Sequence, residues 1–221
     1  MSNIRAVVFD MDDTLYGEYD YVLSGFAAAA AEAERAYGIT DAARELISLF
    51  AENSRGVFGR FLRAHGAPSD AEARLVEVYR NHAPDISLYP DAKRALVALR
   101  ERGYKTGVIT DGDGERQRKK ADALGLFALV DAFAVTDADK QKPQPDAFIK
   151  TAEALGVGAE QMMYVGDNPS KDFAVKKYLP VTTVRVVRGL YADCEYAEGI
   201  LPDYTVSDMS ELFGILEGVN A

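Results

Sequence analysis

The chain has 221 residues, 48% of them hydrophobic, a globular rather than a disordered composition with length for one large core or for a core carrying a smaller domain. Lys and Arg number 25 against 35 Asp and Glu, a formal net charge of −10 that disfavours nucleic acid and anionic membranes as partners and requires any anion site to be built locally. Cys194 is the only cysteine, so no intrachain disulfide forms; no basic-then-apolar leader opens the sequence, and no run approaches the roughly 20 apolar residues of a membrane-spanning helix, so the expectation is a cytoplasmic protein.

In chain order, the first element is the short apolar, β-branched run from Ile4 to Phe9, which reads as a buried parallel strand. It ends in Asp10-Met11-Asp12-Asp13-Thr14-Leu15-Tyr16, three carboxylates within four residues at the edge of a sheet where ligands of open α/β folds bind. From Tyr19 to His82 no strand is evident. Phe26, Ala30, Ala33 and Tyr37 recur at helical spacing. Thr40 or Asp41 is a candidate cap for a second helix, Val57 to Leu62 suggests a third, and Ser69 or Asp70 is a candidate opening for a fourth. Four short helices in succession predict a small bundle. After Pro90 strand and helix alternate. Helices are predicted over Asp91–Arg102, Glu115–Leu124, Asp146–Leu155, from Asp172 to Tyr178, and over Ser207–Leu216. Strands are predicted over Thr106–Ile109, Ala132–Val135, Met162–Val165, Thr182–Val187 and Tyr204–Val206. Such alternation implies a doubly wound, mostly parallel α/β sheet with right-handed crossovers, carrying the helical segment as an insertion. The expected division is a Rossmann-like core of residues 1–17 and 84–221 and a helical domain of residues 18–83.

Four strand ends gather suspicious residues on one sheet edge: Asp10 and Asp12, Thr110, Lys142 on the loop after the third strand, and Asp167 with Asp172. Carboxylates so close together repel unless some are protonated or a cation sits among them. Carboxylates, a hydroxyl and a lysine form a coherent set for phosphoryl transfer. A carboxylate-bound metal offsets phosphate charge, the lysine adds to it, and a carboxylate can attack phosphorus.

The ordered set Asp10-x-Asp12-x-Thr14, Val108-Ile109-Thr110, Lys142-Pro143-Gln144-Pro145 and Gly166-Asp167 with Asp172 resembles the haloacid dehalogenase-like hydrolase superfamily, in particular its phosphatases with a helical cap inserted after the first strand. The resemblance implies that Asp10 is the nucleophile and that Asp12 protonates the leaving oxygen and then activates water. It implies that Thr110 and Lys142 bind the phosphoryl group. Mg²⁺ would be bound by Asp10, the backbone carbonyl of Asp12 and Asp167, with Asp172 helping through water or Lys142. The function implied is hydrolysis of a small phosphorylated metabolite by a monomer or homodimer. A phosphomutase of the same fold stays open. A carbon–halogen hydrolase fits less well because Asp12 is present, and a receiver-like phosphoacceptor fits less well because the acidic cluster follows the first strand.

The remaining candidates follow from position. Thr14 is expected to tie the loop together. Asp111 stands where the family often has Asn. It is expected, with Asp113 as the other candidate, to cap the next helix, or else to meet a substrate hydroxyl. Gly112 belongs to a tight strand-to-helix turn beside the substrate. Tyr16 and Gly17 are expected at the mouth of the pocket and at a hinge, with a second hinge near Pro84 to Tyr89. Arg55, Arg60, Arg63 and His65 lie in the insertion and read as a solvated helix face, one of them a candidate for substrate contact.

Overall fold

The computed structural model describes residues 3–68, 70–196 and 199–221. Ser69, one of the two residues expected to open the fourth helix, lies outside them. The chain separates into two compact units, Met1–Glu18 with Ser87–Ala221 and Tyr19–Ile86.

The larger unit is built on six parallel strands, β1 (Ala6–Phe9), β2 (Lys105–Thr110), β3 (Ala132–Val135), β4 (Met162–Gly166), β5 (Thr182–Val186) and β6 (Tyr204–Val206), in the order β3-β2-β1-β4-β5-β6. The order reverses at β1. From there the chain moves outward to β2 and β3, then returns to place β4 on the other side of β1. Such a switch point opens a crevice at the carboxyl ends of the flanking strands. β1 is fully buried along its length, as its unbroken apolar sequence requires. Ala6 and Val8 face one side, where they join Ile109, Met162 and Tyr164 in a core closed by Ala147, Phe148 and Ala152 of helix Asp146–Leu155.

The smaller unit consists of α1 (Glu18–Tyr37, whose first residue belongs to the larger unit), α2 (Ala42–Glu52), α3 (Val57–Ala64) and α4 (Ala71–Asn81). Phe26, Ala29, Ala33, Leu46, Phe61, Leu62 and Leu75 form its core, with Phe26 in ring contact with Phe50, Phe58 and Tyr79. The larger unit adds α5 (Pro90–Glu101), α6 (Gly114–Ala123), α7 (Asp146–Leu155) and α8 (Leu212–Asn220).

Three local expectations are corrected. Asp41 precedes α2 but adopts a left-handed φ of 55° and makes no side-chain cap bond, and Asp70 caps nothing either. A capping side chain reaches the first turn from extended backbone, which neither residue has. After Asp172 there is no α-helix to Tyr178, only a short 3-10 turn over Ala174–Lys177. The amides of Lys171 and Asp172 bond back to the Asn168 carbonyl, so the segment is spent on turns that hold Asp172, and Pro180 disfavours helix in the residue before it. At the C-terminus a 3-10 turn over Met209–Glu211, capped by Asp208, precedes α8 where one helix from Ser207 was expected.

Candidate active site

Asp10 follows β1 directly, its amide donating to the Val165 carbonyl at 2.8 Å. The chain then makes one turn, closed by the Leu15 amide on the Met11 carbonyl at 2.9 Å, with Asp13 at a φ of 54°. Met11, Leu15 and Tyr16 are driven into the core, which leaves Asp10, Asp12 and Asp13 lining one cavity of about 240 Å³. A continuing strand would have alternated these side chains between faces; the turn is what lets them share a site. Glu18, Thr110, Asp111, Asp167, Asn168, Lys171 and Tyr191 complete the lining. Thr14, as expected of a loop tie, donates to Asp167 at 3.1 Å. Asp13 accepts the amides of Glu18 at 2.8 Å and Leu190 at 2.9 Å, joining the loop after β1 to the loop after β5. Gly189 lies so close over Asp13 that a side chain there would collide with it, and its φ of 67° itself favours glycine.

Lys142 sits beneath Asp10. Its side chain is fully buried and its Nζ reaches Asp10 Oδ1, Asp172 Oδ1 at 2.9 Å and the Tyr164 hydroxyl at 2.9 Å. Burial alone would depress the lysine, but Asp10 and Asp172 outweigh it and hold its pKa well above the usual value. Asp172 is fully engaged, because its other oxygen accepts the Asn168 amide at 2.9 Å. It packs against Gly166, where a Cβ would lie 2.5 Å from Asp172 Oδ2.

Asp10, Asp167 and Asp172 present carboxylate oxygens within 4.8 Å of one another. Burial, with Asp172 adding to it, raises Asp10 to about 7 despite Lys142. Burial, then the charges of Asp10 and Asp172, raises Asp167 to about 8. Asp167 Oδ2 is buried without a hydrogen-bond partner. An all-oxygen donor set, mutually repelling and with one orphaned oxygen, fits a hard divalent cation such as Mg²⁺.

Asp12 has a different environment. Its Oδ1 accepts Lys120 Nζ at 2.7 Å and the Tyr16 hydroxyl, and its Oδ2 accepts Gln117 Nε2 at 2.8 Å. Burial works against its ionisation, but Lys120, Tyr16 and Gln117 together hold its pKa below the ordinary value. Gln117 Nε2 also lies 2.6 Å from Thr110 Oγ1. Asp12 is thus held in its ionised form, while Asp10 is pushed toward its neutral form unless a cation offsets the neighbouring carboxylates.

Asp111 lines the cavity with both oxygens engaged. Oδ1 accepts the Thr136 hydroxyl at 2.8 Å and the Lys142 amide at 3.0 Å, and Oδ2 pairs with Lys171 at 3.0 Å. It therefore braces the Lys142 loop, and the capping expectation passes to Asp113, which accepts the Arg116 amide at 3.0 Å. Lys171 is lifted in pKa, because Asp10, Asp172 and Asp111 outweigh its burial and its repulsion from Lys142.

The structure thus brings Asp10, Asp12, Thr110, Lys142, Asp167 and Asp172 together. It alters two expected positions. Tyr16 is fully buried with its hydroxyl on Asp12, so it holds a neighbour rather than standing at the cavity mouth. Gly112, at a φ of 127°, packs toward the Gln117 side chain and does not line the cavity. The Asp12 side chain lies outside the three-carboxylate cluster. In the helical unit Arg60 donates to the Leu49 carbonyl at 2.6 Å and to the Asn53 carbonyl, and His65 meets Glu45 at 2.7 Å, so both serve the bundle's own structure. Gln117, Lys120, Tyr164 and Lys171 were not anticipated. A detectable signal existed for the first two: Gln117 and Lys120 share one face of a helix that otherwise reads as solvent-facing.

The sequence model of the haloacid dehalogenase-like hydrolases matches residues 4–174. A glyceraldehyde 3-phosphate phosphatase of Methanopyrus kandleri is 30% identical over 96% of this chain and 97% of its own. A putative pyrophosphatase PpaX of Caldanaerobacter subterraneus is 29% identical over 97% of this chain and 96% of its own. The crystal structure of a HAD phosphatase from Thermococcus onnurineus superposes with a TM-score of 0.64 at 27% identity, covering 97% of this chain and 99% of that one. Among the described residues no helix is long and apolar enough to cross a membrane. With the ordered strand-end residues and the β1 switch point, these matches make the chain a hydrolase of the haloacid dehalogenase-like family, one whose curated relatives are phosphatases.

Proposed function

We propose that the chain is a Mg²⁺-dependent cytoplasmic phosphomonoesterase that cleaves a small phosphorylated metabolite through an aspartyl phosphate on Asp10. The observation carrying this reading is the buried cluster in which Lys142 joins Asp10 to Asp172 while Asp167 keeps an unpartnered oxygen beside them. Asp10 and Asp167 would hold the cation, with Asp172 set behind by Lys142, and the Asp12 backbone carbonyl is assigned to it as well. Bound there, a hard cation would supply positive charge against the phosphoryl oxygens.

The rest is work for the chain's own residues. An Asp10 oxygen attacks phosphorus as the ester P–O bond breaks, and the departing oxygen takes from Asp12 the proton that Asp12 gained from water in the preceding turnover. Asp12 then takes a proton from water, whose oxygen attacks phosphorus and frees Asp10 and inorganic phosphate. The Thr110 hydroxyl orients the phosphoryl oxygens, and Lys142, held on Asp10, Asp172 and Tyr164, adds positive charge behind Asp10. The cavity is lined almost entirely by charged and polar groups, which supports a small polar ester. The relatives' printed activities, on glyceraldehyde 3-phosphate and as pyrophosphatases, support the same class. The helical unit is proposed as a cap that selects the ester, so Arg55→Ala should change discrimination among esters more than hydrolysis of 4-nitrophenyl phosphate.

Phosphate release from 4-nitrophenyl phosphate and from a panel including glyceraldehyde 3-phosphate and pyrophosphate tests the reading. Turnover should require Mg²⁺ and stop in chelator. Full activity in chelator, or none on any ester with any divalent metal, contradicts it.

A further inference from the structure

The catalytic reading explains why Asp12 is present but not why α6, a strongly polar helix, buries a glutamine and a lysine. Gln117 is 2% exposed and Lys120 3%. Both point at Asp12, from one helix face three residues apart. Burying a lysine and an amide is costly unless each is paired, and here both are paired to the same carboxylate.

The hydrogen-bond polarity at Gln117 is decisive. An amide nitrogen donates two hydrogens and accepts none, and this nitrogen has two neighbours, Asp12 Oδ2 at 2.8 Å and Thr110 Oγ1 at 2.6 Å. The reversed amide would set its oxygen against a carboxylate, so only this orientation satisfies the site. Thr110 must then accept from Gln117, which leaves its own hydroxyl hydrogen to be donated elsewhere. Thr110 lines the cavity.

We propose that Gln117 and Lys120 are positioning residues. With Tyr16 they fix the Asp12 carboxylate, and Gln117 also turns Thr110 into a hydrogen-bond donor toward the bound phosphoryl group. The inference rests on the phosphomonoesterase reading and refines it. Lys120 meets Asp12 and the ring of Tyr16, whereas Gln117 meets both Asp12 and Thr110. The two therefore leave different kinetic signatures.

Asp12 serves the departing oxygen, so losing its placement matters more for a poor leaving group than for a good one. Thr110 touches the phosphoryl group, which is the same in every ester. The experiment is kcat/KM across aryl phosphates of graded leaving-group acidity, from 4-nitrophenyl to phenyl phosphate, in Mg²⁺. It compares the wild type with Lys120→Met, Lys120→Arg and Gln117→Met, each checked for folding by thermal unfolding. Lys120→Met should lose about 10- to 100-fold more on phenyl than on 4-nitrophenyl phosphate, the range for a hydrogen bond to a charged group. Lys120→Arg should recover part of that difference. Gln117→Met should show the same leaving-group dependence plus a loss common to all esters, with raised KM. In an Asp12→Asn background, Lys120→Met should add no further leaving-group dependence. Lys120 and Gln117 give independent routes to the readout, so misfolding of one variant leaves the other to decide. Equal losses on every ester in an active enzyme overturn this inference alone. A wild type inert across the series overturns the phosphomonoesterase reading as well.

Discussion

Asp10 and Asp12, two residues apart on one loop, sit in opposite electrostatic environments. Burial and neighbouring carboxylates raise Asp10, while a lysine, a phenol and an amide lower Asp12. Replacing Asp12 with Asn should reduce turnover of an unactivated ester by about 10²–10⁴-fold, the contribution typical of general acid–base catalysis, while Asp10→Asn should abolish the covalent intermediate itself; steady-state rates and acid-quench labelling separate the two. A second residue-scale expectation concerns pH. Without a cation, burial and the neighbouring carboxylates raise Asp10 to about 7 and Asp167 to about 8, against roughly 4 in an unfolded chain. Below the unfolded value both states hold these protons. Between the unfolded and folded values only the folded state holds them, so the associated stability is lost as pH rises through that window. Thermal unfolding in chelator should therefore show Tm falling from about pH 5 to pH 8, with a smaller fall in Asp167→Asn. A bound cation favours the ionised forms, so Mg²⁺ should raise Tm more at pH 8 than at pH 5, with proton release on binding. A chelated Tm that climbs over this range, equally in the variant, contradicts the assignment. Asp10, Asp12, Thr110 and Asp167 were legible in the sequence because each sits at or just past the end of an apolar strand, and Lys142 and Asp172 because they stand in motifs on the loops that follow. Lys120 and Gln117 left only their shared face on α6 as a signal, and that face's burial depends on what it packs against, which no local pattern states.

At the level of elements, the strand ends were readable and the turns beyond them were not. β3 and α7 match their sequence boundaries because alternation and a Pro-rich break delimit them. The segment after β4 was misread as helix because its purpose is to return the Asn168 carbonyl and amide to the neighbourhood of Asp172. Gly166 is part of that arrangement. A methyl group there would intrude on the Asp172 carboxylate, so Gly166→Ala should displace Asp172 and destabilise the protein by about 1–3 kcal/mol, as overpacking does. It should also weaken Mg²⁺ binding, because Lys142 loses one of its two carboxylate partners; calorimetric titration with Mg²⁺ checks this, and an unchanged affinity would show that Asp172 is dispensable to the cluster. In the helical unit, Arg60 ties α3 to the carbonyls that end α2. Arg60→Ala should cost about 0.5–1.5 kcal/mol for the lost hydrogen bonds, read as a lower Tm, with hydrolysis of 4-nitrophenyl phosphate largely retained.

For the whole molecule, the sheet order explains why residues from positions 10 to 172 meet. β1 stands at the switch point, with β2 and β4 on either side, so the loops after all three converge. A chain of net charge −10 offers no general attraction for phosphate, and the positive charge at this edge comes from Lys120, Lys142 and Lys171, each paired with a carboxylate. The account therefore stands or falls on whether this edge performs covalent phosphoryl transfer at one named oxygen-bearing side chain. The most direct measurement is to quench the protein during turnover of 4-nitrophenyl phosphate in Mg²⁺, reduce any acyl phosphate with borohydride, and locate the modified residue by peptide mass spectrometry. The account expects the reduced product at Asp10 alone, absent in chelator and absent in Asp10→Asn. Modification of a different residue, or turnover in Asp10→Asn at the wild-type rate, would contradict it.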